Sequence, residues 1–265
     1  MDTNEVEMTT NSIALDSKVA IVTGAAVGMG YATARLLALR GAKVIVSDVN
    51  EVTGMAAARD ICDAGGLAHF IAADVSEEGE VAALVAKTVA LHGRLDCAIN
   101  NAGIAPDRQP IHDADMALFD RVLGVNLRSV MLCMKYQIRQ MLAQGTGGSI
   151  VNIGSVSSVR PQPQSAAYVA AKHGLVGLTK AGSLDYAGHN IRINAVLPGT
   201  IDTPMLRTAM AANGRTEAEF ASAFSLFGRF GTANEVAEAS AWLCCEASSF
   251  ITGHSLAVDG GYLSR

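Results

Sequence analysis

The stretch Lys18-Val-Ala-Ile-Val-Thr-Gly-Ala-Ala-Val-Gly-Met-Gly constrains the fold of this chain more than any other. Its apolar run reads as a short buried strand, and the alanine-rich run through Arg40 reads as a helix. A glycine motif carries weight only when it joins a strand to a helix in this way. Gly24, Gly28 and Gly30 allow the tight turn, with Val27 and Met29 set between them. Backbone N–H groups at the start of a helix can then hold a pyrophosphate.

The alternation continues along the chain. Strands are expected at Val19–Val22, Lys43–Ser47, Ala68–Ala72, Asp96–Asn100, Ser149–Ile153, Arg192–Val196 and Ser255–Val258. Helical patterning falls near 28–40, 51–64, 77–91, 115–143, 165–187 and 233–246. Strands separated by helices predict an α/β fold: a doubly wound, parallel, seven-stranded sheet with helices on both faces. At 265 residues, half of them hydrophobic, the chain suits one such domain over 15–265. Residues 1–14 read as a loose, flexible tail, and no linker or repeat divides the remainder.

Tyr168 and Lys172 stand four apart in Ser165-Ala-Ala-Tyr-Val-Ala-Ala-Lys-His-Gly. On a helix that spacing places phenol and ammonium on one face. A free phenol has a pKa of about 10, and a neighbouring cation favours the phenolate. The pair is a candidate general acid/base for a hydroxyl proton. Ser155 follows the apolar run Ser149-Ile-Val-Asn-Ile, so a strand ending there and a helix beginning near Ser165 bring the hydroxyl to the phenol. His173 is adjacent to Lys172 but points elsewhere on a helix, and is read as structural.

Together these residues resemble the short-chain dehydrogenase/reductase family over about Leu15 to Gly261. The spacing Thr-Gly-x-x-x-Gly-x-Gly from Thr23 to Gly30 is similar to that family's glycine motif. Asn100-Asn-Ala-Gly103 resembles its motif after the fourth strand. Asn126, Ser155, Tyr168 and Lys172 match its catalytic tetrad, and Pro198-Gly199 with Thr203 its nicotinamide-side loop. Length and Tyr–Lys spacing speak against the longer epimerase-type branch and the enoyl-reductase branch. The resemblance implies a Rossmann-type domain, a substrate lid near 200–230 and a homotetramer with twofold axes. Helices near 115–143 and 165–187 would form one interface, and the last helix and strand the other.

Cofactor expectations follow position by position. Asp48 ends the second strand, about 20 residues past the glycine loop, where a carboxylate can accept from adenosine ribose hydroxyls. It would repel a 2′-phosphate. Neither Val49 nor Val27 supplies the cation that NADP would favour, so NAD is expected. The resemblance implies that Asp74 contacts adenine with Val75 packed on the ring. Asn101, Ala102 and Gly103 would border the adenosine and ribose, while Pro198, Gly199, Ile201 and Thr203 would line the nicotinamide side.

The implied reaction is hydride transfer between a secondary alcohol and its ketone. Tyr168 would exchange the hydroxyl proton, Lys172 would lower the phenol pKa and bind the nicotinamide ribose, and Ser155 would steady the substrate oxygen. Asn126, in Gly124-Val-Asn-Leu, would break its helix locally and hold a relay water. Met131-Leu-Cys-Met-Lys-Tyr-Gln-Ile and Thr203-Pro-Met-Leu look like relatives that oxidise cyclic alcohols and dihydrodiols. Val156, Val159, Leu197, Met205 and Leu206 are expected to line an apolar pocket, with Ser157, Gln162 and Gln164 as polar options. Met210, Phe220, Phe224 and Phe227 would roof it. Reduction of a 3-oxoacyl thioester on a carrier protein is the alternative, with Arg160, Arg207 and Arg215 at the mouth. A non-catalytic nucleotide-sensing module is the remote one.

A net charge of −5 without a basic cluster argues against nucleic acid. No apolar run reaches the length of a membrane span. The acidic start, Met1-Asp-Thr-Asn-Glu-Val-Glu, lacks the features of a signal peptide, so a cytoplasmic protein is expected. Five cysteines without C-x-x-C spacing read as buried reduced thiols. Six histidines without H-x-x-x-H spacing give no expected metal site.

Overall fold

The computed structural model describes residues 13–211 and 216–265. Most of the expected tail, and Arg215, lie outside these residues. The strands are β1 (Val19–Thr23), β2 (Lys43–Asp48), β3 (Leu67–Ala72), β4 (Cys97–Asn100), β5 (Gly148–Ile153), β6 (Ile191–Pro198) and β7 (Ser255–Val258). They form one seven-stranded parallel sheet in the order β3-β2-β1-β4-β5-β6-β7. The order reverses between β1 and β4, which opens a crevice at the strands' C-terminal ends.

The central strands are buried on both faces and mainly apolar, with a few polar residues such as Asn100, Asn152 and Asn194 set among them. Alternate residues serve opposite faces. Ala20, Val22, Val44 and Val46 join one core cluster, whereas Ile21 and Ile45 join the other. The first face is covered by α1 (Gly28–Leu39), α2 (Glu51–Asp63) and, at the far end of the chain, α9 (Ala233–Cys244). The second is covered by α3 (Glu78–His92), α5 (Ser129–Gln144) and α6 (Ala166–Tyr186).

The helix expected near 115–143 is two helices. Between α4 (Met116–Leu123) and α5 lies a π-helical turn, Gly124–Arg128, with Asn126 at its centre. Such turns frequently mark functional positions in helices. The segment after β6 also carries two short helices, α7 (Pro204–Ala211) and α8 (Glu217–Phe224). Their few residues gave no sustained period in the sequence.

One buried polar network ties the sheet to α5 and α6. Asn100 Nδ2 donates to Gln137 Oε1 (3.1 Å) and to Asn152 Oδ1 (2.9 Å). Gln137 Nε2 returns a bond to Asn100 Oδ1 (2.8 Å). Asn152 Nδ2 reaches Thr179 Oγ1 on α6 (3.0 Å). Low polarity around these groups makes each bond strong and each orphan costly. Asn152→Ala should therefore lower the unfolding free energy by roughly 2–4 kcal/mol in urea, and a loss well under 1 kcal/mol would contradict this role for the network.

Candidate active site

Every expected site residue except those on α1, α6 and the π turn lies at the C-terminal end of a strand or in the loop that follows it. The glycine loop follows β1. Gly24 and Gly28 have φ of +61° and +62°, a region that side chains other than glycine rarely adopt. Gly30 is required for a different reason, since a Cβ there would stand 2.2 Å from the Gly24 carbonyl oxygen. Val27 precedes α1 in extended conformation and offers no side-chain cap, and the first turn holds no acidic residue. The N-cap thus gives the amides of that turn no side-chain acceptor. This suits a pyrophosphate.

Two loops fix the glycine loop in place. Asn101 Nδ2 donates to the carbonyls of Thr23 and Gly24 (both 2.9 Å), and the amides of Asn101 and Ala102 donate to Thr23 Oγ1. Asp48 Oδ2 accepts from the Ala26 amide (3.1 Å) and Oδ1 from the Asn50 amide (3.0 Å). A carboxylate has further acceptor capacity, which leaves Asp48 able to take a ribose hydroxyl. Val27 and Val49 are exposed beside it. Asp74 Oδ1 accepts from the amide and hydroxyl of Ser76. Val75 is buried against Val81, Leu132 and Cys133, so little of its surface is left for the expected contact with a ring. Beyond β6, Pro198 ends the strand and the Gly199 amide bonds to Val258. Ile201 is buried in the core, whereas Thr203 lies against Gly28.

Ser155 sits just past β5 and Tyr168 in the first turn of α6. Lys172, one turn on, is almost fully buried, with its Nζ donating to the Ile153 carbonyl (2.8 Å) and standing 5.6 Å from the Tyr168 ring centre. Burial pulls the Lys172 pKa down to about 8. Burial pushes the Tyr168 phenol above its ordinary value, and the Ser155 hydroxyl acts in the opposite sense. In the protein alone burial therefore outweighs any lowering of the phenol pKa, and the Lys172 ammonium is directed to the Ile153 carbonyl. Asn126 is fully buried, and its side chain bonds both main-chain groups of Ile104 (2.8 and 3.0 Å). His173 is exposed and bonds Val169 within its own helix. Sequence reasoning missed Asp107, whose carboxylate accepts from the amides of Ala167 and Tyr168 (both 3.2 Å). No local signal marks it, since the helix it caps lies 60 residues away.

The short-chain dehydrogenase family model described as enoyl-(acyl carrier protein) reductase matches residues 24–263. The chain belongs to the short-chain dehydrogenase/reductase family. Among its relatives in that family, the cis-4-hydroxycyclohexanecarboxylate dehydrogenase of Sinomonas cyclohexanicum is 45% identical over 249 residues, covering 94% of this chain and 98% of the relative. The 2,5-dichloro-2,5-cyclohexadiene-1,4-diol dehydrogenase of Sphingobium indicum is 42% identical over 248 residues, again covering 94% and 98%. A gluconate 5-dehydrogenase from Burkholderia cenocepacia, solved with NADP and tartrate, superposes with a TM-score of 0.90 at 32% identity, covering 96% of this chain and 98% of that one.

The substrate side of this short-chain dehydrogenase/reductase departs from expectation in several places. Val156, Leu197 and Ser157 are buried, whereas Val159 and Met205 are exposed. Phe220 and Phe224 stack on each other at 4.8 Å between ring centres, and Phe224 lies 5.7 Å from Tyr262. They give the lid segment a small core of its own. Phe227 is exposed. Cys62 is exposed and the other four cysteines are buried thiols.

The state of Lys172 has a thermodynamic consequence. Its pKa is lower in the folded chain, so the unfolded chain binds more protons between pH 8 and 10.5 and stability rises with pH there. The parent should gain stability over Lys172→Met across that window, by roughly 3 kcal/mol at full extent. Urea unfolding at several pH values measures this, and a pH-independent difference would contradict it.

Proposed function

We propose that this enzyme interconverts a cyclic secondary alcohol and its ketone with NAD(H), Tyr168 serving as the acid/base. The observation that carries this reading is the meeting of Ser155, Tyr168 and Lys172 at the ends of β5 and α6, beside a glycine loop with open amides. Dependence on NAD(P) belongs to the family. The preference for NAD rests on Asp48, flanked by uncharged Val27 and Val49.

When bound, the nicotinamide supplies the hydride donor or acceptor. The chain's own residues do the rest. Tyr168 takes the alcohol proton in oxidation and returns it in reduction. The Ser155 hydroxyl orients the substrate oxygen and steadies charge forming on it. Lys172 contributes its charge and can hydrogen-bond the nicotinamide ribose. A proton relay past Lys172 would use the main chain of Asn126, because its side chain is committed to Ile104. A positive charge brought next to the phenol favours the phenolate, so the raised pKa of Tyr168 in the protein alone falls when the dinucleotide binds.

The substrate class is drawn from the two ring-alcohol relatives and from the mainly apolar mouth. The carrier-protein alternative is weakened by the cations it requires. Arg207 is bonded to Asp202 and Glu217 (2.6 Å each). Arg160 stacks on Tyr262, 4.7 Å from its ring centre, and bonds its carbonyl. Arg207 is thus paired with two carboxylates, while Arg160 keeps its charge but is engaged with Tyr262. No helix among the described residues is long and apolar enough to cross a membrane, and the free thiols suit the reducing cytoplasm expected for it.

We also assign a homotetramer. Leu123, Leu127, Met131 and Leu178 line an open groove of about 540 Å³ between α4, α5 and α6, on the helix face expected to pair with a second copy. Light scattering should give four chains, and a monomer would overturn the assignment. For the chemistry, Tyr168→Phe should abolish turnover while NADH binding, read by fluorescence, is unchanged. Retained turnover in that variant would sink the mechanism.

A further inference from the structure

Helix α6, which carries Tyr168 and Lys172, does not cap itself. Its N-cap residue, Ser165, makes no side-chain bond to the first turn, and its hydroxyl donates instead to the Pro163 carbonyl (3.2 Å). The first amides of a helix need acceptors from outside the helix. In α2, α4, α8 and α9 the N-cap residue provides one: Asn50, Asp115, Thr216 and Thr232. In α6 both acceptors come from Asp107, in the loop between β4 and α4. Oδ2 accepts from the Ala167 amide and Oδ1 from the Tyr168 amide, each at 3.2 Å. A carboxylate at this end also complements the helix dipole.

The loop that bears Asp107 begins in the motif that locks the glycine loop. Asn101 and Ala102 bond Thr23, then Ile104 is held on both main-chain groups by Asn126, and Asp107 follows. Just beyond it, Gln109 makes a parallel bridge to Ser165. On either side of this contact a non-glycine residue is left-handed, Arg108 at φ +52° and Gln164 at φ +56°. Such conformations persist where the surroundings over-determine them, and they gather at sites whose geometry matters.

We propose that Asp107 is a positioning residue for the reaction: its carboxylate holds the first turn of α6, and with it the phenol of Tyr168, in register with the loop bordering the dinucleotide. The proposal rests on Tyr168 being the acid/base. Asp107 acts through the main chain of Tyr168, so its removal tilts the phenol without removing any group that binds cofactor. The loss appears in kcat and leaves the dinucleotide site intact.

Three purified variants test this: Asp107→Ala, Asp107→Asn and, beside them, Tyr168→Phe. Each is assayed for kcat and KM with a cyclic alcohol, for NADH affinity by fluorescence, and for melting temperature. Asp107→Ala should lower kcat by roughly ten- to a hundredfold, with NADH affinity within about threefold of the parent. Asp107→Asn keeps one acceptor oxygen and should fall between the two, which also serves if the alanine variant folds poorly. Turnover of both variants within about threefold of the parent would overturn the proposal. So would equal losses in both of kcat, NADH affinity and melting temperature together, because that pattern marks general structural support. If Tyr168→Phe itself retains turnover, the acid/base reading fails first, whatever the Asp107 variants do.

Discussion

Parallel pairing is the constraint on which this molecule rests. Strands that all run one way place every C-terminal end on the same edge, and each must be followed by a crossover that buries one face. Covering both faces requires the apolar runs Val19–Val22 in β1, Val44–Val46 in β2 and Ala195–Leu197 in β6. It also leaves the loops after β1, β2, β3, β4, β5 and β6 on the same edge as neighbours. Residues as distant in sequence as Asp48, Asn101 and Ser155 occupy one rim for that reason. The reversal of strand order between β1 and β4 opens the crevice there, and the bonds from Asn101 to Thr23 and Gly24 hold its two walls together.

Two helices show how the same end-group problem is solved for different purposes. α1 begins with an exposed valine at its N-cap and no acid in its first turn, an arrangement that suits an anion from outside the chain. α6 begins with a serine turned away to Pro163, and its amides are given to Asp107. The first arrangement suits phosphate binding, and the second is the one proposed to position a side chain. Within α6, burial works against the charge on Lys172 and against ionisation of Tyr168. The fold alone keeps the phenol neutral beside an ammonium weakened by burial, and a positive nicotinamide ring brought beside the phenol would favour its ionisation.

The strands were legible because parallel strands buried on both faces are mainly apolar, and their observed limits lie within a residue or two of those expected. The glycine loop was legible because Gly24, Gly28 and Gly30 have no sterically acceptable replacement. The break at Asn126 could be read from Gly124-Val-Asn, although its π-helical form could not. What escaped the sequence is non-local. Asp107 reaches its helix across 60 residues, and nothing near it marks the contact. The aromatic residues of the lid resembled a pocket roof by composition, yet Phe220 and Phe224 pack on each other, and Phe224 also on Tyr262. Spacing alone implied a lowered phenol pKa, and it could not show that Lys172 would turn to Ile153.

The central claim is a ring-alcohol site served by NAD. Its most direct test is the initial rate of reduced-nicotinamide formation, followed by near-ultraviolet absorbance. The purified protein would be offered NAD⁺ or NADP⁺ with cyclohexanol-type alcohols, cyclohexadiene diols and open-chain alcohols. Turnover with NAD⁺ and a cyclic alcohol or diol, above that with NADP⁺ or open-chain substrates, is the predicted result. Turnover with NADP⁺ alone would contradict the role given to Asp48, and the absence of turnover with any ring alcohol would contradict the account of the site.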